Sequence, residues 1–248
     1  MRLTVIGCSG SLPGPESPAS CYLVEADDTV LVLDLGNGTL GPLQRRVPLD
    51  SVDGVLFSHL HPDHCMDLCG YYVAARYGPL RDAARVPVWG PDGTAERMAR
   101  AYGLPEDPGM TREFDFRTYP DEPFEIGSVR VTAAPAVHPV PAYAFRLEHA
   151  GSVLVYSGDT AATPALVELA RGADLFLCEA AFVEGEPNPP GHHLTGRQAG
   201  EHAAAAGVKQ LMLTHILPWT DPAVARAQAR EAFDGPVGLA RPGAIVEI

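Results

Sequence analysis

Apolar residues fall in short runs punctuated by glycine, proline and aspartate rather than in long amphipathic stretches. Such runs predict strands over Leu3–Ile6, Cys21–Glu25, Val30–Leu33, Val52–Phe57, Val86–Trp89, Phe124–Ile126, Val129–Val137, Tyr143–His149, Val153–Tyr156, Leu175–Leu177 and Val208–Leu213. Closing strands are expected within Val237–Ile248. Asp27-Asp28, Gly127-Ser128 and Ala150-Gly151-Ser152 read as hairpin turns. Helical spacing predicts helices over Thr39–Arg46, Cys65–Tyr77, Pro91–Tyr102, Pro164–Arg171, Gly196–Ala206 and Asp221–Phe233, with Asp63 capping the second and Asp221 the last. Residues 103–116 read as irregular and proline-rich, a mobile cover over a site. Two strand–helix halves with no linker between them predict an α/β fold, a four-layer αββα sandwich, in one domain spanning 1–248.

Composition narrows the class. Apolar content of 46% with 20% charged residues describes a globular chain. No apolar run is long enough for a membrane-spanning helix. Met1 leads straight into a strand without a signal peptide, and the odd set Cys8, Cys21, Cys65, Cys69 and Cys178 reads as reduced core thiols, so a cytoplasmic location is expected. A net charge of −13 argues against nucleic acid as a partner. Lys209 is the only lysine; with the many alanine, proline and glycine residues this suggests a GC-rich bacterial source.

The densest chemistry lies in Ser58-His59-Leu60-His61-Pro62-Asp63-His64, directly after a predicted strand. Imidazole suits zinc, and carboxylate completes its shell. Cys65 and Cys69 lie nearby, but the histidines and the aspartate already suffice. Further along, His138, Asp159 and His215 each follow a predicted strand. Taken singly, His138 or His215 would more often be a core histidine, and Asp159 a turn residue. Strand ends at one edge of a sandwich converge, so together they predict two metal sites. His59, His61 and His138 would form one, Asp63, His64 and His215 the other, with Asp159 bridging. Asp34, ending another strand, would either support a ligand or cap a helix. The Gly7–Pro15 loop lacks a Gly-Lys-Ser/Thr sequence and reads as a structural rim loop in preference to a phosphate cradle.

These motifs, with Gly7-Cys8-Ser9-Gly10-Ser11, Leu33-Asp34-Leu35-Gly36, Ser157-Gly158-Asp159-Thr160 and Leu213-Thr214-His215, resemble the metallo-β-lactamase superfamily over nearly the whole chain. The resemblance is to its ribonuclease Z-like and bacterial cyclic-nucleotide phosphodiesterase branch. It implies two zinc ions, with manganese or iron in some members, and allows a homodimer. Members carry a His-Glu-Ala-Thr motif about twenty residues after the bridging aspartate. Here that position reads Cys178-Glu179-Ala180-Ala181, matching only partly. A Gly-His-Ser-Thr-like motif stands twenty-two residues before the last ligand, which selects His193 over its neighbour His192. The catalytic set implied is Asp63, Glu179 and His193, with a metal-bound hydroxide attacking phosphorus and His193 protonating the leaving oxygen.

Ribonuclease Z grips transfer RNA with a flexible arm, in similar bacterial members placed between the third histidine and the bridging aspartate. His138 to Asp159 leaves room for one hairpin only. The expected substrate is therefore a small phosphodiester, foremost 3′,5′-cyclic AMP. The alternatives are transfer-RNA 3′ processing, hydrolysis of a non-phosphate ester, thioester or lactam, and a metal-binding scaffold without turnover. Residues 103–117 and 186–192 are the expected pocket lining.

Overall fold

The computed structural model describes residues 1–248. Its first sheet contains β1 (Arg2–Gly7), β2 (Cys21–Ala26), β3 (Thr29–Leu33), β4 (Gly54–Leu56), β5 (Val86–Trp89) and β6 (Phe114–Arg117). Its second contains β7 (Phe124–Ile126), β8 (Val129–Pro135), β9 (Tyr143–His149), β10 (Ser152–Tyr156), β11 (Leu175–Glu179), β12 (Leu211–Thr214) and β13 (Val237–Leu239). The last strand, β14 (Ile245–Glu247), returns to the first sheet and pairs antiparallel with β1. The orders are β14-β1-β2-β3-β4-β5-β6 and β13-β12-β11-β10-β9-β8-β7. Within each sheet one stretch is parallel, β3 to β6 and β10 to β13, and the rest antiparallel.

Strand side chains alternate between two buried faces, which is why their sequences read as continuous apolar runs. In β2, Tyr22 and Val24 face the second sheet, whereas Cys21 and Leu23 face helices. In β11, Leu175 and Leu177 meet the first sheet, whereas Phe176 and Cys178 face outward. Helices α1 (Leu40–Gln44), α3 (Leu68–Tyr77) and α4 (Thr94–Tyr102) cover the first sheet through Leu43, Tyr71 and Met98. Helices α5 (Pro164–Ala170), α6 (Gly196–Ala206) and α7 (Pro222–Arg230) cover the second through Leu166, Ala203 and Ala229. Three apolar layers thus separate four layers of secondary structure, the expected αββα sandwich. Each buried Leu, Val or Phe contributes about 1.5–3 kcal/mol, so the layers can carry a strained polar edge.

Two local expectations fail. Asp63 does not cap a helix running from Cys65 to Tyr77. Instead His61 takes the cap position of a short turn, α2 (Pro62–Cys65), with Pro62 first and Asp63 inside it. The chain then breaks and α3 starts at Leu68. The cause is a competing set of main-chain bonds: Ser20 N–H donates to the Asp63 carbonyl and Leu35 N–H to that of His64, at 3.1 and 2.7 Å. The Asp63 carboxylate is engaged by His215 at 3.1 Å rather than by its own backbone. Nor do residues 103–113 cover the strand ends. They precede β6, and Arg112 and Glu113 line a cavity with Asp50, Val52 and Asp53, which lie before β4. That is the end opposite the histidine turn. The alternation Phe114-Asp115-Phe116-Arg117 forms the unforeseen edge strand β6.

Candidate metal centre

Five strands stop at one edge, and each delivers a polar residue. Asp34 follows β3, Ser58 and His59 follow β4, Asp159 follows β10, Glu179 ends β11 and His215 follows β12. His138 comes three residues beyond β8. Asp34 and His215 both adopt positive φ, +57° and +54°, so each strand ends in a sharp turn that redirects the chain. Gly36 makes the histidine turn possible: a Cβ there would overlap the Asp63 carbonyl oxygen.

The expected ligand residues come together in two groups. His59 Nε2 lies 2.9 Å from His61 Nδ1, which lies 3.2 Å from His138 Nε2. His64 Nε2 lies 3.2 Å from His215 Nε2 and 3.2 Å from Asp63 Oδ2. Asp159 Oδ2 faces both groups, 3.7 Å from His59 Nε2 and 3.4 Å from the nitrogens of His64 and His215. Zn–N bonds of about 2.0–2.1 Å in a tetrahedral shell place nitrogens roughly 3.3 Å apart. The donor spacing fits such an ion. So does an orphaned atom: Asp159 Oδ1 is buried without a hydrogen-bond partner, which is costly for a carboxylate that lacks a cation. No cysteine joins either group, and all five thiols are free.

Electrostatics follow burial and carboxylate proximity. Burial drives the His59 imidazole well below its usual pKa, and the positive charge of His64 adds to this. At His64 burial acts in the same direction, but Asp159, Asp34 and Asp63 outweigh it and raise its pKa well above the usual value. Asp34 is fully buried and accepts from Ser58 N–H and Tyr156 O–H at 2.7 Å, with His64 Nδ1 at the same distance. Asp34 therefore orients His64 and caps no helix. Ser58 Oγ also reaches Asp34, at 2.8 Å, and His59 Nδ1, at 3.1 Å. Sequence reasoning assigned no role to Ser58 or Tyr156, although each is a polar residue at the very end of a buried strand.

Glu179 and His193 also meet. His193 Nδ1 lies 3.0 Å from Glu179 Oε1 and 3.9 Å from Asp159 Oδ2. The Glu179 carboxylate is fixed by N–H groups of Thr160 and Ala181, at 2.7 and 3.3 Å. Burial opposes charge on His193, yet Glu179 and then Asp159 prevail and push its pKa up to about 9. Neighbouring His192 turns away, its Nδ1 against the Pro190 carbonyl, while its own carbonyl oxygen lies 2.9 Å from His138 Nδ1. The 186–192 segment thus packs against the centre at its last residue.

Helix-covered sheets with histidines and aspartates gathered at one edge define the metallo-β-lactamase class of metallo-hydrolases. The family model for the beta-lactamase superfamily domain matches residues 29–216. The chain belongs to that superfamily. It is 47% identical to the uncharacterized protein ML1173 of Mycobacterium leprae, over 96% of this chain and 85% of that one. Probable metallo-hydrolase YhfI of Bacillus subtilis is 30% identical with both chains fully covered. The YhfI crystal structure superposes with a TM-score of 0.88 over 99% of each chain, at 28% identity. A Ribonuclease Z of Myxococcus xanthus is 30% identical over 312 aligned positions, covering 100% of this chain and 98% of that one. No helix is long and apolar enough to cross a membrane.

Proposed function

We propose that the protein is a phosphodiesterase acting on a small phosphodiester, with a 3′,5′-cyclic nucleotide such as cyclic AMP as the leading substrate. The observation that carries this reading is the His193–Glu179 pair set beside Asp159. The oxygen expelled from a phosphodiester needs a proton. Glu179 and Asp159 favour the charged form of His193, and its Nδ1–H is committed to Glu179. Its Nε2–H, which has no partner within the protein, is left to donate. In this reading His59, His61 and His138 hold one divalent ion, Asp63, His64 and His215 a second, and Asp159 reaches both. Zinc suits the imidazole-rich set, and manganese or iron would be tolerated. Such ions would supply Lewis acidity toward phosphoryl oxygens and lower the pKa of water.

Substrate size is argued from what the chain leaves out. Between His138 and Asp159 it holds little beyond the β9–β10 hairpin. The Ribonuclease Z relative aligns over 312 positions, more than the 248 residues here, so part of that protein has no counterpart. The −13 charge also disfavours a long polyanion. The whole chain would act as one domain, in a reducing cytoplasm consistent with free thiols. Purified protein supplied with zinc or manganese is expected to hydrolyse cyclic AMP above a His59→Ala control. No excess turnover would count against the proposal. The Ribonuclease Z relative supports a second reading, transfer-RNA 3′ processing, which cleavage of a precursor transcript would favour instead.

A further inference from the structure

We propose that the main-chain N–H of Ser11 is an oxyanion donor at this centre, binding a non-bridging oxygen of the substrate phosphoryl group. The proposal deepens the phosphodiesterase reading and rests on it. Ser11 N–H donates to His215 Nε2 at 3.2 Å. That nitrogen is also 3.1 Å from Asp63 Oδ2, 3.2 Å from His64 Nε2 and 3.4 Å from Asp159 Oδ2. The amide is therefore aimed at a donor atom of the second group, with the other three donors of that group within 3.4 Å of the same atom. A neutral imidazole nitrogen offers a single lone pair. Once His215 Nε2 commits it to a cation, Ser11 N–H loses its acceptor. A backbone donor at a partly buried site then needs another. A phosphoryl oxygen drawn to the same point supplies one, and the contact strengthens as negative charge develops.

The loop is built to hold this donor still. His215 N–H donates to the Cys8 carbonyl at 3.1 Å, and Gly10 N–H donates to that of Ile216 at 3.0 Å. Gly10 presses on the main chain of His215 so closely that a Cβ would overlap its carbonyl oxygen. Ser11 itself takes φ of +61°, a conformation serine adopts only where its surroundings enforce it. Its side chain is exposed and its hydroxyl makes no hydrogen bond. The backbone, not the side chain, is what this geometry preserves. On this proposal the loop supplies one aligned donor where a P-loop would supply several.

The first test is spectroscopic. Inorganic phosphate is titrated into ¹⁵N-labelled, zinc-loaded protein while calorimetry follows saturation. The Ser11 amide proton is expected to move downfield along the binding curve. An unmoved Ser11 resonance, whether phosphate saturates the centre or fails to bind, overturns the proposal. The second test replaces the Gly10–Ser11 amide with an ester in the full-length chain, joining a synthetic segment of residues 1–20 to the remainder at Cys21. With metal content unchanged, kcat for bis(p-nitrophenyl) phosphate is expected to fall about 10²–10³-fold. Wild-type kcat in the metal-loaded ester variant overturns the proposal, and if that variant does not refold the spectroscopic result decides. Turnover by the wild-type protein reports on the phosphodiesterase reading alone, so the two failures are distinguishable.

Discussion

The proposed proton donation rests on one ring, His193. Its Nδ1 is tied to a carboxylate that two backbone N–H groups hold in place, so only Nε2 can exchange a proton with a ligand. General-acid assistance is worth about 10²–10⁴ where the leaving oxygen is strongly basic. It is worth little where the leaving group is a stable phenolate. His193→Ala should therefore lose turnover of cyclic AMP by about that factor, while bis(p-nitrophenyl) phosphate hydrolysis falls far less. Steady-state kcat for the two substrates checks this, and equal losses would mean that His193 positions the site without giving a proton. The sequence showed the candidate metal-binding residues readily, because His-x-His-x-Asp-His is dense and strand ends were recognisable. It hid the partners of Asp34: nothing in Ser58 or Tyr156 signals a shared carboxylate 24 and 122 residues away.

At the scale of elements, the histidine turn is shaped by its neighbour more than by its own propensity. The carbonyls of Asp63 and His64 bond to Ser20 and Leu35, and the Gly36 backbone fills the space below. That explains why a helix expected from Cys65 onward splits in two, since a local pattern cannot report main-chain bonds from residues far earlier in the sequence. Gly36→Ala should destabilise by about 1–3 kcal/mol as the turn is pushed outward. It should also release metal, because Asp63 and His64 move with their carbonyls. A urea melt with metal analysis tests both effects, and an unchanged metal content would show that the turn yields without moving its ligands. Strands with both faces buried were easily recognised, whereas β6 was missed because only Phe114 is buried outright and its setting is proline-rich.

For the molecule as a whole, the sandwich buries groups that must stay protonated. Burial raises the pKa of Cys21, Cys178, Tyr119 and Tyr156 well above their usual range, and pushes Cys65 up to about 12. A raised folded pKa contributes stability that is complete below the unfolded value and is lost as pH climbs toward the folded one. The unfolded thiols ionise near pH 9 and the native ones do not, so unfolding free energy should fall from about pH 9 upward. Urea midpoints at pH 8 and pH 10.5 measure this, and a flat profile would mean the native groups ionise as freely as the unfolded ones. The four-layer architecture was legible because strand–helix alternation and the histidines and aspartates at strand ends agreed. The position of residues 103–113 was not, since an irregular stretch carries no sign of which end of the sheet it closes.

The central claim is that His59, His61 and His138 gather around one cation, Asp63, His64 and His215 around another, and that Asp159 touches both. An anomalous difference map at the zinc edge, from zinc-loaded crystals, tests it most directly. Two peaks about 3.5–4 Å apart, each against its own three residues and both against Asp159, are predicted. A single peak, or zinc bound elsewhere, would contradict the account.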